Sequence, residues 1–97
     1  MKALFFCGLV ATLVAMTPAR HQEDGLEQLR TCIADHYGVN SGQVLLASPN
    51  VVYVNTLGGT LQGTAGFVDC GALCTEVYLQ FVGDQFLCIV EDDIDGF

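Results

Sequence analysis

Cys32, Cys70, Cys74 and Cys88 are the side chains with the clearest chemical potential in this chain. Free thiols bind zinc, exchange disulfides or act as nucleophiles; paired thiols cross-link a fold. Spacing separates these uses. Three residues lie between Cys70 and Cys74, where a thioredoxin-type redox pair has two. A zinc site would draw on Cys32 and His36, one helical turn apart, together with Cys70 and Cys74. That set needs opposite faces of a sheet to meet at one point, so a small redox or zinc protein stands only as an alternative. Two structural disulfides are the expectation.

The compartment agrees with that choice. Met1-Lys2 is a short basic start, Ala3 to Met16 is uncharged, and Thr17-Pro18-Ala19 supplies small residues two apart. The chain turns polar immediately afterwards. This layout predicts a secretory signal peptide over residues 1–19. The apolar run is shorter than the ~20 residues of a spanning helix, so no stable membrane anchor is expected after cleavage. Cys7 falls inside the leader. Residues 20–97 then form a single small domain, secreted or periplasmic, of a size that commonly needs cross-links.

Charge excludes several partners. The chain carries eleven acidic residues against three Lys and Arg, for a net charge of −8. Removing the leader also removes Lys2. Phosphate backbones are held by clustered Lys and Arg, so no nucleic acid is expected as a partner. A basic protein is the partner that the charge favours.

Asp24-Gly25-Leu26-Glu27 reads as an N-cap, with Asp24 accepting from the first turn and Glu27 reaching back. Leu26, Leu29, Cys32, Ile33, His36 and Tyr37 share one arc at about 100° per residue. Gly38 supplies the left-handed stop. A helix over 24–37 with one buried face follows. His36 is expected to be half-buried there and bonded to a carbonyl.

The rest alternates as strands. Residues 51–57 are rich in β-branched side chains. A turn at Gly58-Gly59 would set Val54 against Gly63 and Val52 against Ala65. A turn around Gly71-Ala72-Leu73 would set Phe67 against Val77, Ala65 against Leu79 and Cys70 against Cys74. A turn at Gly83-Asp84 would set Phe81 against Phe86, Leu79 against Cys88 and Val77 against Val90. All three registers collect one apolar face, as a period of two requires. Residues 44–47 form a short apolar run before Pro49, read as an edge segment or bulge. The expected fold is α+β, one N-terminal helix packed across a four-stranded antiparallel meander in two layers.

Face assignment selects among the three pairings that four cysteines allow. Cys32 lies on the buried arc and Cys88 on the core face of the last strand. Cys70 and Cys74 lie on the outer face across one turn. Cys32–Cys88 and Cys70–Cys74 are therefore expected.

No other constellation suggests catalysis. Ser41 and Ser48 both sit in loops without a nucleophile-elbow context. The glycine-rich stretch from Gly58 to Gly66 has no following Lys, so it is not a phosphate loop. Its glycines are expected to shape a hairpin and admit the helix to the sheet. No cofactor is expected. Within that stretch, Gln62-Gly63-Thr64-Ala65-Gly66 resembles the Gln-x-Val-x-Gly hairpin of the cystatins, inhibitors of papain-like proteases. A helix across an antiparallel sheet also matches their architecture. The resemblance implies a cysteine-protease inhibitor acting through this hairpin. It covers five residues, Thr64 replaces the Val, and no Trp is present for the family's Pro-Trp loop. The register places the stretch mid-strand rather than at a tip.

The chain closes on Glu91-Asp92-Asp93-Ile94-Asp95-Gly96-Phe97. Spacing does not match a calcium loop. A solvated terminus beyond a last core residue at Val90 is the expectation. Asp92, Asp93, Asp95 and Phe97 are the candidate binding residues should this tail dock a basic partner. Function is thus read as a small exported, non-enzymatic binding module, an inhibitor of an extracellular or periplasmic enzyme being one concrete form.

Overall fold

The computed structural model describes residues 24–97. The expected leader over 1–19 and its cleavage site lie outside the described residues.

Helix α1 spans Gly25–Tyr37. Asp24 is its N-cap, and its carboxylate accepts from the Glu27 N–H at 2.9 Å. Glu27 does not reach back; its carboxylate pairs with Arg30 one turn on. The Gly25 N–H donates instead to Asp92 Oδ2 at 2.8 Å, from the far end of the chain. A carboxylate at this helix end also meets the positive pole of the helix dipole. At the other end Gly38 adopts φ 70°, and the Val39 N–H donates to the Ala34 carbonyl at 2.9 Å. That is the Schellman closure which glycine permits. Leu29, Ile33 and Ala34 are buried, Cys32 and Tyr37 partly so. His36 is exposed at the arc's margin rather than half-buried.

A short 3₁₀ turn, Ser41–Gln43, leads into five strands rather than four. These are β1 Val44–Ala47, β2 Val51–Thr56, β3 Gly59–Gly71, β4 Cys74–Phe81 and β5 Asp84–Val90, antiparallel in the order β1-β2-β3-β4-β5. The additional strand is the run before Pro49. Pro49 occupies the connecting turn, where its missing N–H disturbs no ladder, so β1 pairs with β2 from Val44↔Val54 to Ala47↔Val51.

The β3–β4 register is as expected for Phe67↔Val77 and Ala65↔Leu79. The other two hairpins differ. Their loops are Leu57-Gly58 and Val82-Gly83, one position earlier than the glycine pattern suggested. Val52 therefore faces Gly63, and Val54 faces Leu61. Leu79 faces Phe86, and Val77 faces Cys88. Gly83 at φ 74° explains the second shift, because the left-handed residue falls at the second loop position. Moving a loop by one position moves each partner by two. The buried faces are thus preserved although the partners are not.

Helix and sheet enclose Leu29, Ile33, Val52, Val54, Val77, Leu79 and Val90, each 0–1% exposed. Gly63 has a different role from the one its motif suggested. A Cβ there would lie 2.6 Å from the Phe81 ring and 2.7 Å from the Gln80 carbonyl. The glycine admits an aromatic side chain of the neighbouring strand, not the helix.

The acidic terminus is packed, not solvated throughout. Thr75, fully buried on β4, donates its hydroxyl to the Asp92 carbonyl at 2.9 Å and accepts from the Ile94 N–H at 3.1 Å. Ile94 and Phe97 pack against the core. Phe97 meets Phe67 edge-on at 5.7 Å, its N–H donates to Asn50 Oδ1 at 2.9 Å, and its carbonyl accepts from the Asn50 N–H at 3.2 Å. Beyond the reach of α1, the tail covers inner-face positions that water would otherwise meet.

Candidate functional site

All four described cysteines are joined as expected, Cys32 to Cys88 and Cys70 to Cys74, with Cα separations of 6.2 and 5.1 Å. The first bond ties α1 to β5. The second spans a bulge, because the ladder shifts between Asp69 and Gly71 and Cys74 faces Gly71 rather than Cys70. Among the described residues, no cysteine is left as a free thiol beside His36. Disulfides point to an oxidising, non-cytosolic environment. Among the described residues, no helix is long and apolar enough to cross a membrane.

The end of α1 and the start of β5 meet in a cluster around Asp84. His36 Nε2 lies 2.9 Å from Asp84 Oδ2, and the Tyr37 hydroxyl donates to the same oxygen at 2.7 Å. The His36 ring stacks on Phe86 at 3.7 Å and 11°. His36 thus binds a carboxylate, not the carbonyl expected for it. The Tyr37 and His36 hydrogen bonds hold the Asp84 carboxyl below the usual carboxylate range. Burial and then Asp84 push the Tyr37 hydroxyl well above the usual tyrosine range. Tyr37 is accordingly a poor proton donor near neutral pH. The cluster clamps helix to strand and keeps Asp84 ionised. In the sequence Asp84 reads only as a turn residue; nothing local marks a partner 47 positions away.

Beside this clamp the sheet has a step. The two loops Leu57-Gly58 and Val82-Gly83 open at the same end, and Leu57 and Val82 are fully exposed. The β3–β4 ladder stops at Gly63↔Phe81, so residues 59–62 of β3 pair with β2 alone. A cleft of about 370 Å³ occupies the step, lined by Tyr37, Thr60, Leu61, Gln62, Phe81, Val82 and Asp84. Two backbone groups elsewhere, one on β2 and one just past β5, are taken by side chains. Gln43 Nε2 donates to the Asn55 carbonyl at 3.1 Å, and the Glu91 N–H donates to Gln28 Oε1 at 2.7 Å.

The remaining candidates are placed apart from this step. Residues 62–66 lie inside β3, mid-strand as their register implied. Of the tail residues, Asp92 and Phe97 are engaged in the internal contacts described above, while Asp93 and Asp95 are exposed. The outer face of the sheet shows Val68, Tyr78, Leu87 and Ile89 partly to water. Compared with known protein families, curated proteins and solved structures, the chain matches none.

Proposed function

We propose that this protein is an exported, non-enzymatic binding module that grips a protein partner with the hairpin end of its sheet. The observation that carries this reading is the pair of apolar tips. Leu57 and Val82 stand fully exposed at loop positions where Asn, Asp and Gly are the favoured residues. Leu and Val gain nothing from water or from turn geometry there, whereas a partner groove would bury them. The two disulfides support export. Inhibition of an extracellular or periplasmic enzyme is one form of this role. The narrower reading, a cystatin-like cysteine-protease inhibitor, draws on the helix-across-sheet arrangement and on two hairpins sharing one end. It is weakened by residues 62–66 lying away from either tip.

The test is a pull-down from the native extracellular fraction with the wild type and with Leu57→Asp/Val82→Asp. Both positions are outside the core, so the double variant should fold normally. Loss of the captured partner with an unchanged melting temperature is expected. Retention of the same partner by the double variant would refute the reading. Papain unaffected by micromolar protein would remove the narrower one.

A further inference from the structure

We infer that the step beside Asp84 binds an extended segment carrying one Lys or Arg, which adds as a strand to the open edge of β3. This rests on the proposed binding role and names the chemistry of the partner. The β3–β4 pairing ends at Gly63↔Phe81, while residues 59–62 remain paired to β2. By the alternation of an antiparallel ladder closed by a two-residue loop, Thr60 and Gln62 turn their N–H and C=O groups toward the step. The edge is about 13 Å long at ~3.3 Å per residue, enough for four residues of a partner strand. Such a strand would continue the line of β4 beyond the Val82-Gly83 loop. Addition of a strand to an exposed edge is an established recognition mode, in which backbone bonds give affinity and alternate side chains give specificity.

The lining selects that side chain. Leu61, Phe81 and Asp84 belong to the face that carries α1, and Tyr37 approaches from the helix. An inward side chain of the added strand would run along Leu61 and Phe81 and end at the Asp84 carboxylate. Lys and Arg fit this path, an apolar stem with a cationic head. Asp84 is held ionised by its two hydrogen-bonding neighbours, and its side chain is 37% exposed. Within the described residues the only Arg is Arg30, which is paired with Glu27. The acidic surplus of the whole chain would steer a basic segment toward the site. Outward positions would face Thr60 and Gln62, which accept varied polar residues.

The experiment uses isotope-labelled protein expressed from the full chain and titrated with the blocked peptide Ac-Thr-Val-Lys-Val-Thr-NH2. Controls carry norleucine at the Lys or N-methyl groups on alternate amides. The Thr60 and Gln62 amide signals should shift with the Lys peptide. The norleucine peptide should bind about three- to fivefold more weakly, as a partly exposed ion pair warrants. N-methylation on the ladder side should abolish binding, and Asp84→Asn should erase the Lys preference while the edge shifts persist. Shifts confined to Val68, Tyr78, Leu87 and Ile89 would overturn the inference, as would equal binding of Lys and norleucine peptides. No shift at 59–62, with the partner still lost in Leu57→Asp/Val82→Asp, would sink this inference and leave the binding role standing. A partner indifferent to the tip substitutions would sink the binding role itself.

Discussion

Thr75→Val tests whether the acidic terminus belongs to the folded domain. Valine has the shape of threonine and suits a strand, so at a fully buried β4 position it should be neutral or stabilising if the hydroxyl has no task. The structure gives it one. Thr75 Oγ1 donates to the Asp92 carbonyl at 2.9 Å, lies 3.3 Å from the Ile94 carbonyl, and accepts from the Ile94 N–H at 3.1 Å. Valine removes two net hydrogen bonds of about 1 kcal/mol each and leaves a partly buried N–H without its acceptor. Relaxation of the tail toward water and the better strand propensity of valine offset part of this. The net cost should be about 2 kcal/mol, or roughly 10 °C in melting temperature for a domain of this size. Thr75→Ser keeps the hydroxyl and loses one methyl, costing about 1 kcal/mol. The expected order of stability is wild type, then Ser, then Val. Circular-dichroism melts give the order, and hydrogen exchange at the Ile94 amide gives its cause, with acceleration in the Val variant alone. A Val variant as stable as the wild type would refute the anchoring of the tail through Thr75.

Two further outcomes follow from the cross-links and the Asp84 clamp. Removing Cys32–Cys88 by paired Ala substitutions should cost about 4 kcal/mol, and removing Cys70–Cys74 about 2 kcal/mol, from sequence separations of 56 and 4 in the loop-entropy account. Denaturant midpoints measure both, and an equal or inverted pair of costs would contradict the assignment. Asp84 has a depressed folded pKa, first through Tyr37 and then through His36, so its contribution is present above the unfolded value near ~3.9 and is lost as pH falls through the folded one. Melts from pH 7 down to pH 2 should show Asp84→Asn less stable at neutrality and the two curves converging in acid; parallel curves would defeat the clamp.

The features legible in the sequence are those set within a few residues or by a fixed period. Asp24 caps its own first turn and Gly38 ends its own helix, so α1 could be bounded by reading along the chain. A period of two assigns Val77, Leu79, Cys88 and Val90 to one face whichever of two loops is chosen, because a one-position loop shift leaves every face unchanged. Face alone therefore pairs Cys32 with Cys88, although Cys88 sits opposite Val77 and not the expected Leu79.

What tertiary structure alone decided is the identity of distant partners. Asp92 serves the first turn of a helix 67 positions away, and Thr75 holds a tail that its own charge pattern marks as solvent-facing. Asp84 acquires Tyr37 and His36 only when the end of the helix comes down on the start of β5. The open edge at 59–62 exists because β3 outruns β4 there, a mismatch of two strand ends that no residue type encodes. Each of these depends on which chain ends meet in space. Local propensity and periodicity carry no information about that, since they act over a turn or a strand and not over the whole fold.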